Sequence, residues 1–264
     1  AGLGVGIIPP ESGLLACNDV GAGKLAAPAV IIEEIISAVT EKDLAGLQVL
    51  VTAGPTREAI DPVRFITNHS SGKMGYQMAL AAARRGAGVT LISGPTNLPD
   101  PAGVRTLRVV SAAEMLAAVE QEAPQANIII KAAAVADYRP AQVQRQKMKK
   151  AGQDAALALS RTVDILATLG SKKKPGQVLV GFSMETQDLL ANSRAKLEAK
   201  NADMIVANQL NEAGAGFGVD TNVAAILTPD GQEQLPLMSK YALGGEILTR
   251  AAELARQRSK ESPH

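Results

Sequence analysis

The chain is 264 residues long, 46% hydrophobic and 20% charged, which allows one large globular domain with a substantial core. A net charge of +1, aromatics at 2% and no Trp argue against nucleic acid as the partner, since that needs clustered cations and stacking surfaces. One Cys excludes an intrachain disulfide, two His exclude a multi-histidine metal site, and no apolar run reaches membrane-spanning length or forms a signal peptide, so a cytoplasmic protein is expected.

Residues 1–46 do not read as a domain. They are rich in Gly, Pro and Ala, and they carry two basic and six acidic groups, a net −4. The rest of the chain has 25 basic and 20 acidic groups, a net +5, which suits a phosphorylated small ligand. Cys17 reads on its own chemistry as a small buried hydrophobe. A short helical pattern covers 31–39, and 43–46 leads into the first strand.

From Leu47 onward, strands and helices alternate. Strand one centres on the apolar run 49–51 and turns at Gly54-Pro55. A helix resumes only at Lys73, leaving about eighteen residues where such loops usually take about 2–6. That loop holds Ile60, Val63, Phe65 and Ile66, and it ends in Asn68-His69-Ser70-Ser71-Gly72-Lys73. Hydroxyls, a Gly and a cation at a helix start make an anion site. The helix runs 73–85 and stops at Gly86. Strands follow at 89–92 and 104–110. Ser111 and Glu114 form a capping box for the next helix. A nearly all-apolar fourth strand is expected over 127–135. Thr162 is expected to cap a helix that Gly170 closes. A fifth strand covers 177–182, a helix runs to about 200, and a sixth strand covers 204–207. Two runs, 223–227 and 233–237, read as a hairpin across Pro229-Asp230-Gly231. A last helix starts at Ser239, and the tail beyond Arg258 is expected to fray. The alternation predicts an α/β fold, a doubly wound, mostly parallel Rossmann-like sheet with helices on both faces plus a β-hairpin extension.

Ligands of such sheets sit beyond the carboxyl ends of the strands, where the polar clusters fall. No Gly-x-Gly-x-x-Gly follows strand one, and strand two ends in Ser93-Gly94-Pro95 rather than in an acid for a ribose hydroxyl. A nicotinamide-dependent oxidoreductase is therefore the weaker alternative. There is no phosphate loop of the Gly-x4-Gly-Lys kind and no nucleophile elbow for His69 or Cys17 to serve, so His69 reads as a structural hydrogen-bonder. What remains is a set of anion-binding and positioning groups. Asp137 follows the small residues 132–136, which let a ligand approach the backbone closely. Ten residues on, Lys147-Met148-Lys149-Lys150 sits in the poorly patterned segment 139–156, which suits a mobile flap laying cations over phosphates. Lys172-Lys173-Lys174 reads as an exposed turn. Phe182 and Glu185 stand at another strand end, and Asn208, Asp220 and Asn222 follow strand six.

The stretches DPVRFITNHSSGKMG, AAAVADYRP, the run at 147–150, GFSMET and GFGVDTN, in that order, resemble the phosphopantothenoylcysteine synthetases. The resemblance covers about 47–250. In bacteria these synthetases form the C-terminal half of a bifunctional coenzyme A biosynthesis protein. Residues 1–40 are similar to the end of its N-terminal half, an FMN-dependent decarboxylase, and Cys17 resembles that half's catalytic Cys. FMN would belong to flavin-binding parts that this chain lacks, so Cys17 is expected to be inactive here. The domain reading is thus a decarboxylase remnant and linker over 1–46, a synthetase domain over 47–258 and a disordered tail over 259–264.

The resemblance implies a CTP-dependent ligase. The carboxylate of 4′-phosphopantothenate attacks the α-phosphate of CTP, pyrophosphate leaves, and the amine of L-cysteine then displaces CMP. It implies that Asn68, Arg64 and Ala134 act on the acyl-cytidylate and that Lys147 and Mg²⁺ support the phosphates. The implied nucleotide site comprises Gly54, Ser70, Ser71, Gly72, Lys73, Ala132, Ala133, Asp137, Lys147, Phe182, Ser183, Met184, Glu185 and Lys200, with Asp137 also at the metal. Lys131 departs from the small residue expected there. The family is dimeric, with the 223–237 hairpin expected in the interface. A non-catalytic CTP-binding module is the other alternative, and the choice between CTP and ATP stays open.

Overall fold

A computed structural model describes residues 6–14, 19–149, 156–184, 187–208, 216 and 218–261. The chain opens with a hairpin of β1 (Glu11–Leu14) and β2 (Val20–Lys24), followed by α1 (Pro28–Val39). Pro at its first turn starts α1 earlier than residue 31, where the apolar pattern alone put it. The first core strand is β3 (Gln48–Ala53). The long segment after it carries a ribbon of its own, β4 (Arg57–Ala59) against β5 (Phe65–Thr67), before α2 (Lys73–Arg84) begins. Three-residue strands are too short to show a period, which is why this stretch read as loop.

The alternation continues through β6 (Gly88–Ser93), β7 (Val104–Arg108), α3 (Ala112–Glu122) and β8 (Ile128–Lys131). A second ribbon, β9 (Tyr138–Pro140) paired with β10 (Leu159–Arg161), frames the 139–156 segment at its base. Then come α4 (Ile165–Lys172), β11 (Val178–Met184), α5 (Leu189–Ala199), β12 (Met204–Asn208), β13 (Thr221–Thr228), β14 (Gly231–Ser239) and α6 (Lys240–Glu261). One eight-stranded sheet runs in the order β14-β13-β12-β11-β8-β3-β6-β7. Six of these strands are parallel, and the hairpin β13–β14 continues the sheet antiparallel from β12.

Residues alternate across this sheet into two cores, as the two-residue strand period requires. Val49, Val51, Ile128, Ile130, Val178 and Val180 face α2 and α6. Leu50, Ile129, Leu179 and Ile205 face α3, α4 and α5. Leu179 is fully buried, so Leu179→Ala should lower unfolding free energy by about 2–5 kcal/mol in a urea titration. Among the described residues, no helix is long and apolar enough to cross a membrane.

Several local expectations are corrected. The fourth strand ends at Lys131, and 132–135 leaves the sheet to bond Gly54 and Thr56 instead: Ala134 N donates to Gly54 O at 2.9 Å, and Thr56 N to Ala134 O at 3.3 Å. Asp164 rather than Thr162 caps α4, accepting from Ala167 N at 2.9 Å, while the Thr162 hydroxyl donates to Ala136 O at 2.6 Å. Gly170 lies within α4 and does not stop it. A Cβ there would stand 1.8 Å from Lys200 O, so close helix contact explains that glycine. Lys173 is no exposed turn residue, because its ammonium sits 2.7 Å from the buried Asp203 carboxylate, which Arg258 also approaches at 2.6 Å. Finally, α6 continues past Arg258 to Glu261.

Candidate functional site

The carboxyl ends of β3, β8, β11 and β12 open onto a crevice, as the switch-point logic of parallel sheets requires. Gly54 and Gly72 build its first wall. Both take positive φ, 75° and 78°, and a Cβ on either would come within 2.8 Å of the Thr96 side chain. This close crossing sets the amino end of α2 against the end of β3. No acidic residue occupies the first turn of α2 and no side chain caps it, so its positive end faces the crevice uncompensated by an acid of its own. Ser70 and Ser71 shape the approach, accepting weakly from Gly72 N and Lys73 N at 3.3 and 3.5 Å.

The crevice has two lobes. One, of about 480 Å³, is walled by Asn68 to Gly75, by 131–135, and by Ser183, Met184, Asn208, Asn222 and Lys240. The other, of about 510 Å³, is walled by Arg161 to Leu166 and by Lys200. Lys131, Val135, Asp137, Phe182 and Lys196 belong to both, so a ligand can run from one lobe into the other. Four cations, Lys131, Arg161, Lys196 and Lys200, meet two acids, Asp137 and Asp164, in the second lobe. It is an anion site by charge. A third cavity of about 340 Å³ lies between α3 and α4 near the amino end of β11 and is mostly apolar.

The charges are tuned by their surroundings. Burial, with Lys196 nearby, pulls the Lys131 ammonium down to about 8, against partial support from Asp164 and Asp137. Its Nζ donates to Ala133 O at 3.0 Å. Burial works against the Asp164 charge, but Ala167 N, Lys200 at 3.0 Å and Lys131 outweigh it and lower its pKa. Lys240 is 4% exposed and donates to Gly216 O at 2.9 Å and to Val219 O. Burial and the neighbouring Lys73 lower its pKa. Lys73 itself donates to Gly218 O at 2.9 Å and to Asp220 at 2.7 Å, so both lysines hold residues 218–220. The buried Ser183 hydroxyl has no hydrogen-bond partner among the described residues, and Asn222 donates to Asn208 at 2.8 Å beside it.

Most of the residues expected from sequence come together here. Asn68, Ser70, Ser71, Gly72, Lys73, Ala132, Ala133, Ala134, Asp137, Phe182, Ser183 and Met184 line the first lobe, as does His69, and Lys200 lines the second. Asn68 Nδ2 donates to Ala134 O and Val135 O at 3.3 and 3.1 Å, which ties the 132–135 segment to the Asn68–Ser71 loop. Gly54 lies beneath the wall. Arg64 and Lys147 lie off both walls, Arg64 against Asp61 and Lys147 exposed. Glu185, Cys17, Lys150 and Phe217 lie outside the described residues. Sequence reasoning passed over Arg161, Asp164, Lys196 and Lys240 as site residues. Each sits on a helix or strand end whose position depends on partners far along the chain. Among the described residues, no group of three or more His, Cys, Asp or Glu side chains is placed to hold a metal ion.

The family model described as the DNA/pantothenate metabolism flavoprotein C-terminal domain matches residues 44–254. The coenzyme A biosynthesis bifunctional protein CoaBC of Bacillus subtilis is 50% identical over 260 residues, 97% of this chain and 64% of that protein. Its namesake in Vibrio cholerae serotype O1 is 46% identical over 241 residues, 90% of this chain and 60% of that protein. The chain thus spans less than two thirds of the length of these relatives. A crystal structure of the C-terminal domain of a CoaBC protein superposes with a TM-score of 0.70 at 44% identity, covering 81% of this chain and 98% of that one. Fold and sequence identity agree, and the chain belongs to the DNA/pantothenate metabolism flavoprotein C-terminal domain family.

Proposed function

We propose that the chain is a phosphopantothenate–cysteine ligase of coenzyme A biosynthesis. The observation that carries this is the two-lobed crevice, with a cationic lobe for a nucleotide and an Asn68-lined lobe for an acyl group, meeting at Asp137 and Phe182. The relatives named for coenzyme A biosynthesis support it. CTP binds in the lobe of Lys131, Arg161, Lys196 and Lys200. The carboxylate of 4′-phosphopantothenate attacks its α-phosphorus, and the bond to the β-phosphate oxygen breaks. Pyrophosphate leaves with that bond's electron pair. The amine of L-cysteine then attacks the acyl carbon, loses a proton, and CMP leaves. Lys147 neutralises the leaving group. Asn68 orients the acyl phosphate without competing as a nucleophile.

A Mg²⁺ ion fits this residue set only as a substrate-held ion. Among the described residues Asp137 is the one acid on the wall shared by both lobes, and magnesium commonly takes one or two carboxylates plus substrate phosphates. When bound it would supply further charge neutralisation on the triphosphate. We further assign the domain to 47–258, with 1–46 as the end of a decarboxylase unit, and infer a cytoplasmic homodimer. The outermost strand β14, which exposes Leu237, is the edge offered for that contact.

The deciding assay is pyrophosphate release with Mg²⁺, 4′-phosphopantothenate and either CTP or ATP, without and then with L-cysteine. Release that needs phosphopantothenate, and turnover that needs cysteine, is expected with CTP. A folded protein that binds CTP yet releases nothing would instead be a binding module. Lys131 adds a pH signature. It is charged below pH 8 and neutral above, so CTP affinity by calorimetry should fall about five- to tenfold as pH rises through 8. Lys131→Met should flatten that profile. Stability moves the other way: the unfolded chain holds this proton up to 10.5, binds more protons between 8 and 10.5, and so stability rises with pH in that window.

A further inference from the structure

Asp61 sits in the turn between β4 and β5 and is 2% exposed. Its Oδ1 accepts from Val63 N and Arg64 N, both at 2.9 Å. Its Oδ2 accepts from Arg64 Nε at 3.0 Å and Nη2 at 2.5 Å. These four bonds close the local turn, an arrangement typical of Asp followed by Pro. A fifth does something else: Met148 N, 87 residues away in sequence, donates to the same Oδ2 at 3.2 Å. Arg64 Nη2 returns a bond to Met148 O at 3.2 Å, and Gln144 N donates to Ile60 O at 2.9 Å. The Met148 peptide is therefore held on both its N–H and its carbonyl. Among the described residues of 142–149, every hydrogen bond runs to the Ile60–Arg64 turn. Lys147, immediately before that peptide, is exposed.

We propose that Asp61 is a positioning residue: one buried carboxylate clamps Arg64 and the segment carrying Lys147, and so sets both cations relative to the crevice. The Arg64 guanidinium beside it, with the converging N–H groups, prevails over burial and holds the carboxyl well below the usual carboxylate range. The clamp thus stays charged through the neutral range. Two cations that come from separate segments, 84 residues apart by the Arg64–Met148 contact, share one anchor.

The test uses Asp61→Asn. The amide keeps the Oδ1 acceptor for Val63 and Arg64 and replaces the acceptor for Met148 and the guanidinium by a donor. Trypsin cleavage after Lys147 and Lys149, measured well below the melting temperature of each protein, should accelerate about tenfold, as loss of a hydrogen bond to a charged group implies. Met148→Pro removes the Met148 donor and makes the Lys147 bond resistant to trypsin, so it is read at Lys149, where cleavage should accelerate to the same extent. It decides the matter if Asp61→Asn fails to fold. The kinetic arm rests on the ligase reading. There, Asp61→Asn should lower kcat for pyrophosphate release and leave KM for CTP nearly unchanged. In a Lys147→Gln background, with the residual rate read in single turnovers at high enzyme concentration, the further loss should be much smaller than in wild type, because the part of the effect that runs through Lys147 is already gone and only the Arg64 part remains. Unchanged cleavage in both variants, or additive losses in the double variant, would overturn the clamp. A wild-type protein that releases no pyrophosphate would overturn the ligase reading alone, since the proteolysis arm needs no activity.

Discussion

Lys147→Gln should abolish pyrophosphate release, with a loss of at least about 100-fold in kcat, the scale seen when one preorganised group that stabilises developing charge is removed. The argument starts from the leaving group. Attack by a carboxylate on a triphosphate brings one anion onto another and expels a third. Cations must neutralise both the approach and the departure. The second lobe already supplies Lys131, Arg161, Lys196 and Lys200, so the nucleotide should still bind when Lys147 is lost. Lys147 differs from these four because it lies off the walls, on a segment pinned at the next residue. Such a group engages a ligand after the lobes are filled, and its interaction is then worth more to the transition state than to binding. Its exposure also makes the test clean, since an exposed side chain away from packing seldom changes stability by more than about 0.5 kcal/mol. The expected result is a normal melting curve, a CTP affinity changed little, and no pyrophosphate in a coupled assay. Near-normal release would remove Lys147 from the mechanism.

The parallel strands were legible because their signal is local: 49–51, 128–130 and 178–180 are apolar runs that only a sheet covered on both faces can bury. The helix starting at Lys73 was legible from Gly72 and its hydroxyl neighbours. The β4–β5 and β9–β10 ribbons were not. Each strand spans three residues, too few for a period, and each is held by partners elsewhere, such as Glu58 accepting from Ala112 N at 2.8 Å. The same distinction divides the site. The Asn68–Lys73 loop and the 132–137 turn are contiguous and could be read as anion-binding stretches. The cationic lobe is assembled from β8, β10, α4 and α5, and nothing in the spacing of Lys131, Arg161, Lys196 and Lys200 announces that they converge. Lys240 illustrates the extreme case. A lysine opening a helix reads as solvated, yet it is 4% exposed and donates to the carbonyls of Gly216 and Val219.

Asn68→Asp should separate the two half-reactions. Asn68 Nδ2 now donates to Ala134 O and Val135 O, and this holds the Asn68–Ser71 loop against the 132–135 segment between the lobes. An aspartate has no donor for those carbonyls and places a negative charge in the first lobe. In the proposed mechanism pyrophosphate release draws on the cationic lobe and on Lys147, which the substitution does not touch. It should proceed to about one equivalent per site and then stop. The acyl-cytidylate is different, because its phosphodiester anion must lie beside the new carboxylate while the cysteine amine approaches. Misorientation and repulsion there should slow amide formation by about 10²–10³-fold, the scale of losing one oriented donor. Acid quenching followed by mass spectrometry should reveal the accumulated intermediate, bound stoichiometrically and released only slowly on adding L-cysteine. Asn68→Ala, which removes the donor without adding charge, should stall the same step less severely. If instead both half-reactions fell together, Asn68 would be holding the loop for substrate binding in general, and the division of labour between the two lobes would have to be redrawn.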